Sequence, residues 1–267
     1  MNEHEHIEPT PSGVMSWRAS PLAAVASLAL PLACAVCRAT DAALCAGCQA
    51  EVSASLWEAG PRRSRPDPEP RALPPVHSCG RFEGALATLL TAYKDGGRRD
   101  CAPVLAALLA EAVDVAIVRA PGAQRVLAAG DGPVLVVPVP SSPASRRRRG
   151  DAPLEVLAEG AVAGFAPGEV VVADALRVRR RVADQVGLGA AGRHLNVEHS
   201  MTVRQPWGGV VARATCVVVD DVLTTGATLR EAARALRAGG AREVLGATIC
   251  ATQRHVRAPG ESSGSSR

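Results

Sequence analysis

A chain of 267 residues has room for one substantial core and a small accessory module. With 47% apolar but only 2% aromatic residues, that core is filled by Ala, Val and Leu, which excludes an interior stacked from rings. A net charge of +4 and a pI near 8.8 permit a phosphate-rich partner without demanding one.

The first 20 residues are polar, with Pro and Gly and no apolar period, and read as a disordered tail. Pro21 to Leu32 is apolar, but it is short, contains Pro31 and runs straight into cysteines. A spanning helix needs roughly 20 apolar residues, so no membrane insertion is expected and the chain reads as cytoplasmic.

Residues 21–57 form the first compact unit. Cys34 and Cys37, then Cys45 and Cys48, make two C-x-x-C pairs separated by seven residues. Such pairs let two thiolates reach one ion from a tight turn, and two pairs complete a tetrahedral S₄ site suited to structural Zn²⁺. A knuckle this small has little core, so the metal would supply its folding energy. Cys79, Cys101, Cys216 and Cys250 are scattered and read as buried small side chains.

Residues 58–75 (EAGPRRSRPDPEPRALPP) read as a Pro/Arg-rich linker. The main domain, 76–257, shows helical apolar spacing over Gly84 to Tyr93 and Ala102 to Val118. A β-branched run predicts a strand over Val134 to Val139, followed by a helix over Leu154 to Val162 and a strand over Val170 to Val172. Ala183 to Asn196 reads as helix and Ser200 to Val203 as a short strand. Cys216 to Val219 reads as a strand buried on both faces, then a helix from about Thr228 to the stop pair Gly239–Gly240, then a last strand over Glu243 to Cys250. Short apolar strands alternating with helices predict an α/β fold with an open, mainly parallel sheet. Residues 258–267 read as a second disordered tail.

The most informative stretch is Thr215 to Arg230, TCVVVDDVLTTGATLR. Asp220 and Asp221 fall at the carboxyl end of a buried strand, where open α/β sheets bind ligands. Two carboxylates there suit the vicinal hydroxyls of a ribose and help hold a divalent cation such as Mg²⁺. In the loop Thr224-Thr225-Gly226-Ala227-Thr228, successive N–H groups and hydroxyls can face a phosphate, and the helix that follows adds its dipole. Gly226 lets the backbone approach closely. No Gly-Lys-Thr follows, so this is not a Walker loop.

The segment resembles the 5-phosphoribosyl-1-diphosphate (PRPP) motif of type I phosphoribosyltransferases: apolar residues, an acidic pair, then T-T-G-x-T. The resemblance implies that the acidic pair holds the ribose hydroxyls and the loop the 5′-phosphate. Thr224 stands where 6-oxopurine transferases carry a base-directed aspartate, so a hypoxanthine or guanine substrate gains no support. A transferase of this kind also binds the diphosphate that leaves. Pro140, Ser141 and Ser142 follow a strand and precede the Arg146–Arg149 run, and guanidinium groups match phosphate bidentately. A solvated basic loop is the blander reading of that run.

Further residues narrow the likeness. Phe82-Glu83-Gly84 with a helix ending at Tyr93-Lys94, the VPVP…RRRG loop, and a segment carrying Leu176, Arg177, Gln185, Leu188, Arg193 and Asn196 occur in the order seen in the competence protein ComF family. That resemblance implies that Lys94, Gln185 and Arg193 lie near the PRPP site. Lys94 is also the lone lysine among 30 Lys and Arg residues, which reads either as a place where a compact ammonium is wanted or as one surviving surface lysine. Two readings stay open. One is a catalyst that transfers the pentosyl group of PRPP to an acceptor with Mg²⁺, with Asp220, Asp221 and Lys94 at its centre. The other is a PRPP or nucleotide sensor, or a protein handling single-stranded DNA during uptake, with the knuckle docking a competence helicase-like partner. Scarce aromatics argue against base stacking, so a DNA contact would be largely electrostatic.

Overall fold

Strands apolar on both faces seek the middle of a sheet, and here they find it. The computed structural model describes residues 33–40, 42–141, 152–179 and 199–252. After the cysteine-bearing turn comes α1 (Ala46–Ala54), then β1 (Arg62–Ser64), β2 (Val76–Arg81), α2 (Gly84–Lys94), α3 (Ala102–Val118) and α4 (Pro121–Ala129). The chain continues through β3 (Val134–Pro138), α5 (Pro153–Val162), β4 (Val170–Val172), β5 (Leu176–Val178), β6 (Met201–Val203) and α6 (Gly208–Val211). It closes with β7 (Thr215–Leu223), α7 (Ala227–Ala238) and β8 (Glu243–Ala251).

Six strands make one sheet in the order β1-β2-β8-β7-β3-β4, and β5 pairs with β6 in a separate antiparallel ribbon. Within the large sheet, only β1 with β2 is antiparallel. Strand alternation divides the core. Val217, Val219, Val134 and Val136 pack with Leu86, Leu105 and Leu157 of α2, α3 and α5. Cys216, Val218, Leu135 and Val137 pack with Leu229 and Leu236 of α7 on the other face. Ser78 and Thr248, paired across β2 and β8, satisfy their buried hydroxyls with each other at 2.7 Å.

Helix α3 buries Leu105, Leu109, Ala112 and Ala116 at helical spacing. The stretch Arg99–Val118, 20 residues with an apolar window of mean hydropathy 2.1, is long and apolar enough to cross a membrane, although it carries three acidic residues, Asp100, Glu111 and Asp114. Half of its apolar window is buried, and it packs on α5, β8 and β2 as the core helix of the sheet.

The structure departs from the sequence reading elsewhere. The 58–75 stretch, expected as linker, carries β1, whose Arg62, Arg63 and Ser64 pair with Ser78, His77 and Val76. Strand β7 does not stop at Val219 but runs through the acidic pair to Leu223, because β8 offers ladder partners as far as Ala251. Helices α1 and α4 and strands β2 and β5 were not foreseen. The expected helix over 183–196 lies outside the described residues.

Gly80 joins the cysteine unit to the sheet. A Cβ there would sit 2.4 Å from the Ser55 carbonyl oxygen, so only glycine lets the end of α1 lie against β2. Three contacts use that approach: the Leu56–Gly80 bridge, the Trp57 N–H donating to the Cys79 carbonyl at 2.8 Å, and the Arg81 N–H donating to the Ser55 carbonyl at 2.8 Å.

Candidate active site and cysteine cluster

The acidic pair occupies the carboxyl-terminal part of β7, where the two carboxylates stand within interacting reach of each other. Each carboxylate is first held locally: Asp220 Oδ1 accepts from the Asp221 N–H and Asp221 Oδ1 from the Val222 N–H, both at 2.9 Å. Asp221 then meets Lys94 Nζ at 2.5 Å from its Oδ2. Burial, and next the adjacent Asp221 charge, push Asp220 above the usual carboxylate range to about 8. Two carboxylates this close, one reluctant to ionise, are a donor set that a divalent cation or a hydrogen-bonding diol would relieve.

Lys94 is delivered by the last turn of α2. Tyr93, buried, donates its hydroxyl to the Pro153 carbonyl at 2.8 Å, tying that turn to the start of α5. The Arg99 guanidinium donates to the Tyr93 carbonyl and lies over the Tyr93 ring, 4.8 Å from its centroid. Basic groups at a helix carboxyl terminus also meet its dipole favourably. Lys94 remains part-exposed, so its bond to Asp221 is screened and contributes about 1 kcal/mol or less. A ligand can displace it cheaply.

After β7, Thr224 and Thr225 are exposed and Gly226 is buried at φ +73°, the left-handed conformation that opens α7. No side chain caps α7, so its first N–H groups face the loop, the one from Ala227 approaching Thr225 Oγ1 at 3.4 Å. Behind the turn, a Cβ on Gly226 would lie 3.1 Å from Leu73 and 3.3 Å from Pro66. The Pro/Arg-rich stretch therefore backs the threonine–glycine loop, a role invisible in the sequence.

A cleft of about 460 Å³ gathers these parts. Lys94, Pro140, Ser141, Asp220, Asp221, Thr224 and Thr228 all line it, brought together from α2, the loop after β3, and the β7–α7 connection. The Val139 N–H donates to the Val219 carbonyl at 3.0 Å and so seats the β3 loop beside the acidic pair. Thr225, Gly226 and Ala227 shape the turn without lining the cleft. Ser142, Arg149, Gln185 and Arg193 lie outside the described residues. Phe82, Tyr93, Leu154 and Leu157 form apolar walls that sequence reasoning did not assign; Phe82 was legible only as part of a family pattern, and its 36% exposure is the feature that marks it.

The second constellation is the cysteine cluster. The Sγ atoms of Cys34, Cys37, Cys45 and Cys48 all lie within 4.8 Å of one another, with Cys37 and Cys45 at 3.6 Å. A tetrahedral S₄ zinc site with bonds of roughly 2.3 Å has sulfur–sulfur edges of roughly 3.8 Å, so the set fits a metal ion. Burial opposes ionisation of Cys34, but N–H groups of Cys45, Cys37 and Val36 bring it down to about 6. Burial and the three neighbouring thiols push Cys48 the other way. Cys79, Cys101, Cys216 and Cys250 are all buried in the main core and stand apart from this set.

Comparison with known proteins agrees with the β7–α7 geometry. The family model described as phosphoribosyl transferase domain matches residues 178–262. No curated protein matches the chain. Among solved structures that match, one described as the allosteric regulatory enzyme of purine biosynthesis is 24% identical, with a TM-score of 0.29. The match covers 43% of this chain and 21% of that one, about a fifth of its length. A mostly parallel sheet and a phosphoribosyl transferase domain match running through the acidic strand and its loop give this chain the type I phosphoribosyltransferase fold, with four clustered cysteines in front of it.

Proposed function

We propose that the chain binds PRPP in the 460 Å³ cleft and transfers its phosphoribosyl group to an acceptor. The observation that carries this reading is convergence. The acidic pair, two threonines of the loop that opens α7, the β3 loop and the lone lysine line one cleft at the carboxyl edge of a parallel sheet. Asp220 and Asp221 hold the ribose hydroxyls, and the loop from Thr224 to Thr228 takes the 5′-phosphate on its N–H groups and hydroxyls. Pro140 and Ser141, with Ser142 and Arg149 further along the loop, receive the diphosphate. The bond from the anomeric carbon to the diphosphate oxygen breaks, the diphosphate leaves with the electron pair, and the acceptor's lone pair forms the new bond.

The carboxylates also suit Mg²⁺, which when bound supplies positive charge to the departing diphosphate. Lys94 can add to that charge, because PRPP entering against Asp221 frees its ammonium to face the anion. Exposed Phe82 on the cleft wall offers a planar acceptor a surface. Gln185 and Arg193 belong near this site by family likeness. The four thiolates hold one structural Zn²⁺. The narrower reading, a ComF-type protein that serves DNA uptake beside single-stranded DNA and a helicase-like partner, rests on the motif order from Phe82 to Asn196.

A thermal-shift titration with PRPP and Mg²⁺ tests the core of the proposal. Ligand at a hundredfold excess over its Kd stabilises the native state by about 2.7 kcal/mol. The wild type should shift and Asp221→Asn should not. A wild type that ignores PRPP removes the reading. Where the shift is present, diphosphate release over a panel of bases and amines distinguishes turnover from sensing.

A further inference from the structure

A second cleft shares no lining residue with the first. It is a groove of about 1230 Å³ where the end of α1, the start of the 58–75 stretch, β2 and the carboxyl end of α3 meet. Its walls carry Arg62, Arg63, Arg81 and Arg119, together with Trp57 and His77. Trp57 and His77 are more than nine-tenths buried, and the indole Nε1 and imidazole Nδ1 have no hydrogen-bond partner among the described residues.

The chemistry of those groups is one-sided. An indole N–H and a guanidinium can only donate. His77 is held neutral by burial and by the charges of Arg63 and Arg119, so its ring has one N–H to donate and one nitrogen that accepts. Glu58 is the one carboxylate among the lining residues. Arg81 and Arg63 have partial partners in Glu83 at 2.7 Å and Glu69 at 3.8 Å, whereas Arg62 and Arg119 show no acidic partner among the described residues. A donor set weighted towards guanidinium groups suits a multi-oxygen acceptor. Arg62 lies on one face of the Trp57 ring, 3.7 Å from its centroid, and Arg81 stands at 5.0 Å, so the ring holds two guanidinium forks in place before any ligand arrives.

We propose that this groove is a binding site for the phosphate group of a small phosphorylated molecule, held by Arg62 and Arg119, with Trp57 and His77 as further donors. Several guanidinium donors around one anion suit phosphate oxygens better than a single carboxylate. The volume leaves room for a nucleotide behind the phosphate. Both ring nitrogens are shielded in this conformation, so the guanidinium groups meet the anion first. Trp57 is therefore a built-in reporter.

The test uses the full chain with Thr225→Asp, whose added carboxylate keeps anions out of the threonine–glycine loop of the first cleft. Orthophosphate, adenosine 5′-monophosphate and adenosine are titrated at matched ionic strength, with tryptophan emission as readout and Trp57→Phe to assign the signal among three tryptophans. Saturable quenching by the phosphate-bearing probes is expected, weakened about tenfold in Arg119→Ala and in Arg62→Ala. Arg119 is exposed, so its variant keeps the fold. Tighter binding of the nucleotide than of orthophosphate identifies a nucleotide as the ligand, and equal binding identifies the bare phosphate. The proposal is overturned by adenosine matching its monophosphate, by Arg119→Ala binding as well as the parent, or by none of the three probes changing Trp57 emission.

Discussion

Residues 33–57 and the central strands keep their shape by different means. The cysteine unit has Cys34, Ala35, Cys48, Val52 and Trp57 as its apolar interior, and Ala35 and Val52 already belong to the core of the main domain. Strand β7 alone contributes Cys216, Val217, Val218 and Val219, all without exposure, between helices on both faces. Each fully buried valine or leucine stabilises by roughly 1.5–3 kcal/mol, so the sheet holds itself. The cysteine unit has too few such residues and relies on four thiols in tetrahedral reach of one ion and on its seam with β2. The difference teaches that the accessory unit is not an independent bead: its last residues, Ser55 to Trp57, extend the sheet edge.

The largest way to break that comparison is to strip the zinc proposed for the four thiols. Zinc analysis should find one ion per chain, and a strong chelator or Cys48→Ser should reduce it to none. Amide exchange over α1 should then rise steeply, while β7 and β8 keep their protection. Equal loss in both regions would show that the sheet also needs the ion. Next in size is the seam. Gly80→Ala places a methyl against the Ser55 carbonyl and should cost about 1–3 kcal/mol in denaturant melts, with Trp57 emission moving towards that of an exposed indole. Smallest is a pH effect at the same seam. His77 is buried neutral, with its pKa below the ordinary 6.5 owing first to burial and then to Arg63 and Arg119. An unfolded chain binds that proton more readily, so the contribution is present above pH 6.5 and is lost as pH falls below it. Stability measured from pH 7.5 downward should fall less in His77→Gln than in the parent.

Much of the sheet and its helices was legible because their signals are local. Helix α3 matches its predicted span, Ala102 to Val118, since its apolar stripe and Pro103 at the start need no outside help. The loop from Thr224 to Thr228 was legible for the same reason: an apolar strand, an acidic pair and a glycine in order state their own turn. Strand β2 (VHSCGR) was not, because a sequence with His, Ser, Gly and Arg becomes strand only where β8 supplies a parallel partner and α3 a cover. Strand β1 was hidden among prolines and arginines, and it becomes strand only because β2, the next strand in the chain, pairs with it.

The amino-acid order alone thus determined the α/β class, the cysteine pairs and the acidic strand with its threonine–glycine loop, since each is written in neighbouring residues whose spacing carries its own geometry. Only the tertiary structure decided that Lys94 reaches Asp221, that Leu73 and Pro66 back Gly226, and that Trp57, His77 and four arginines share a groove. The first two join residues far apart in the chain and the third adds Arg119 to a nearer set, and what brings them together is the burial of two apolar sheet faces, a free energy that no short window of sequence contains.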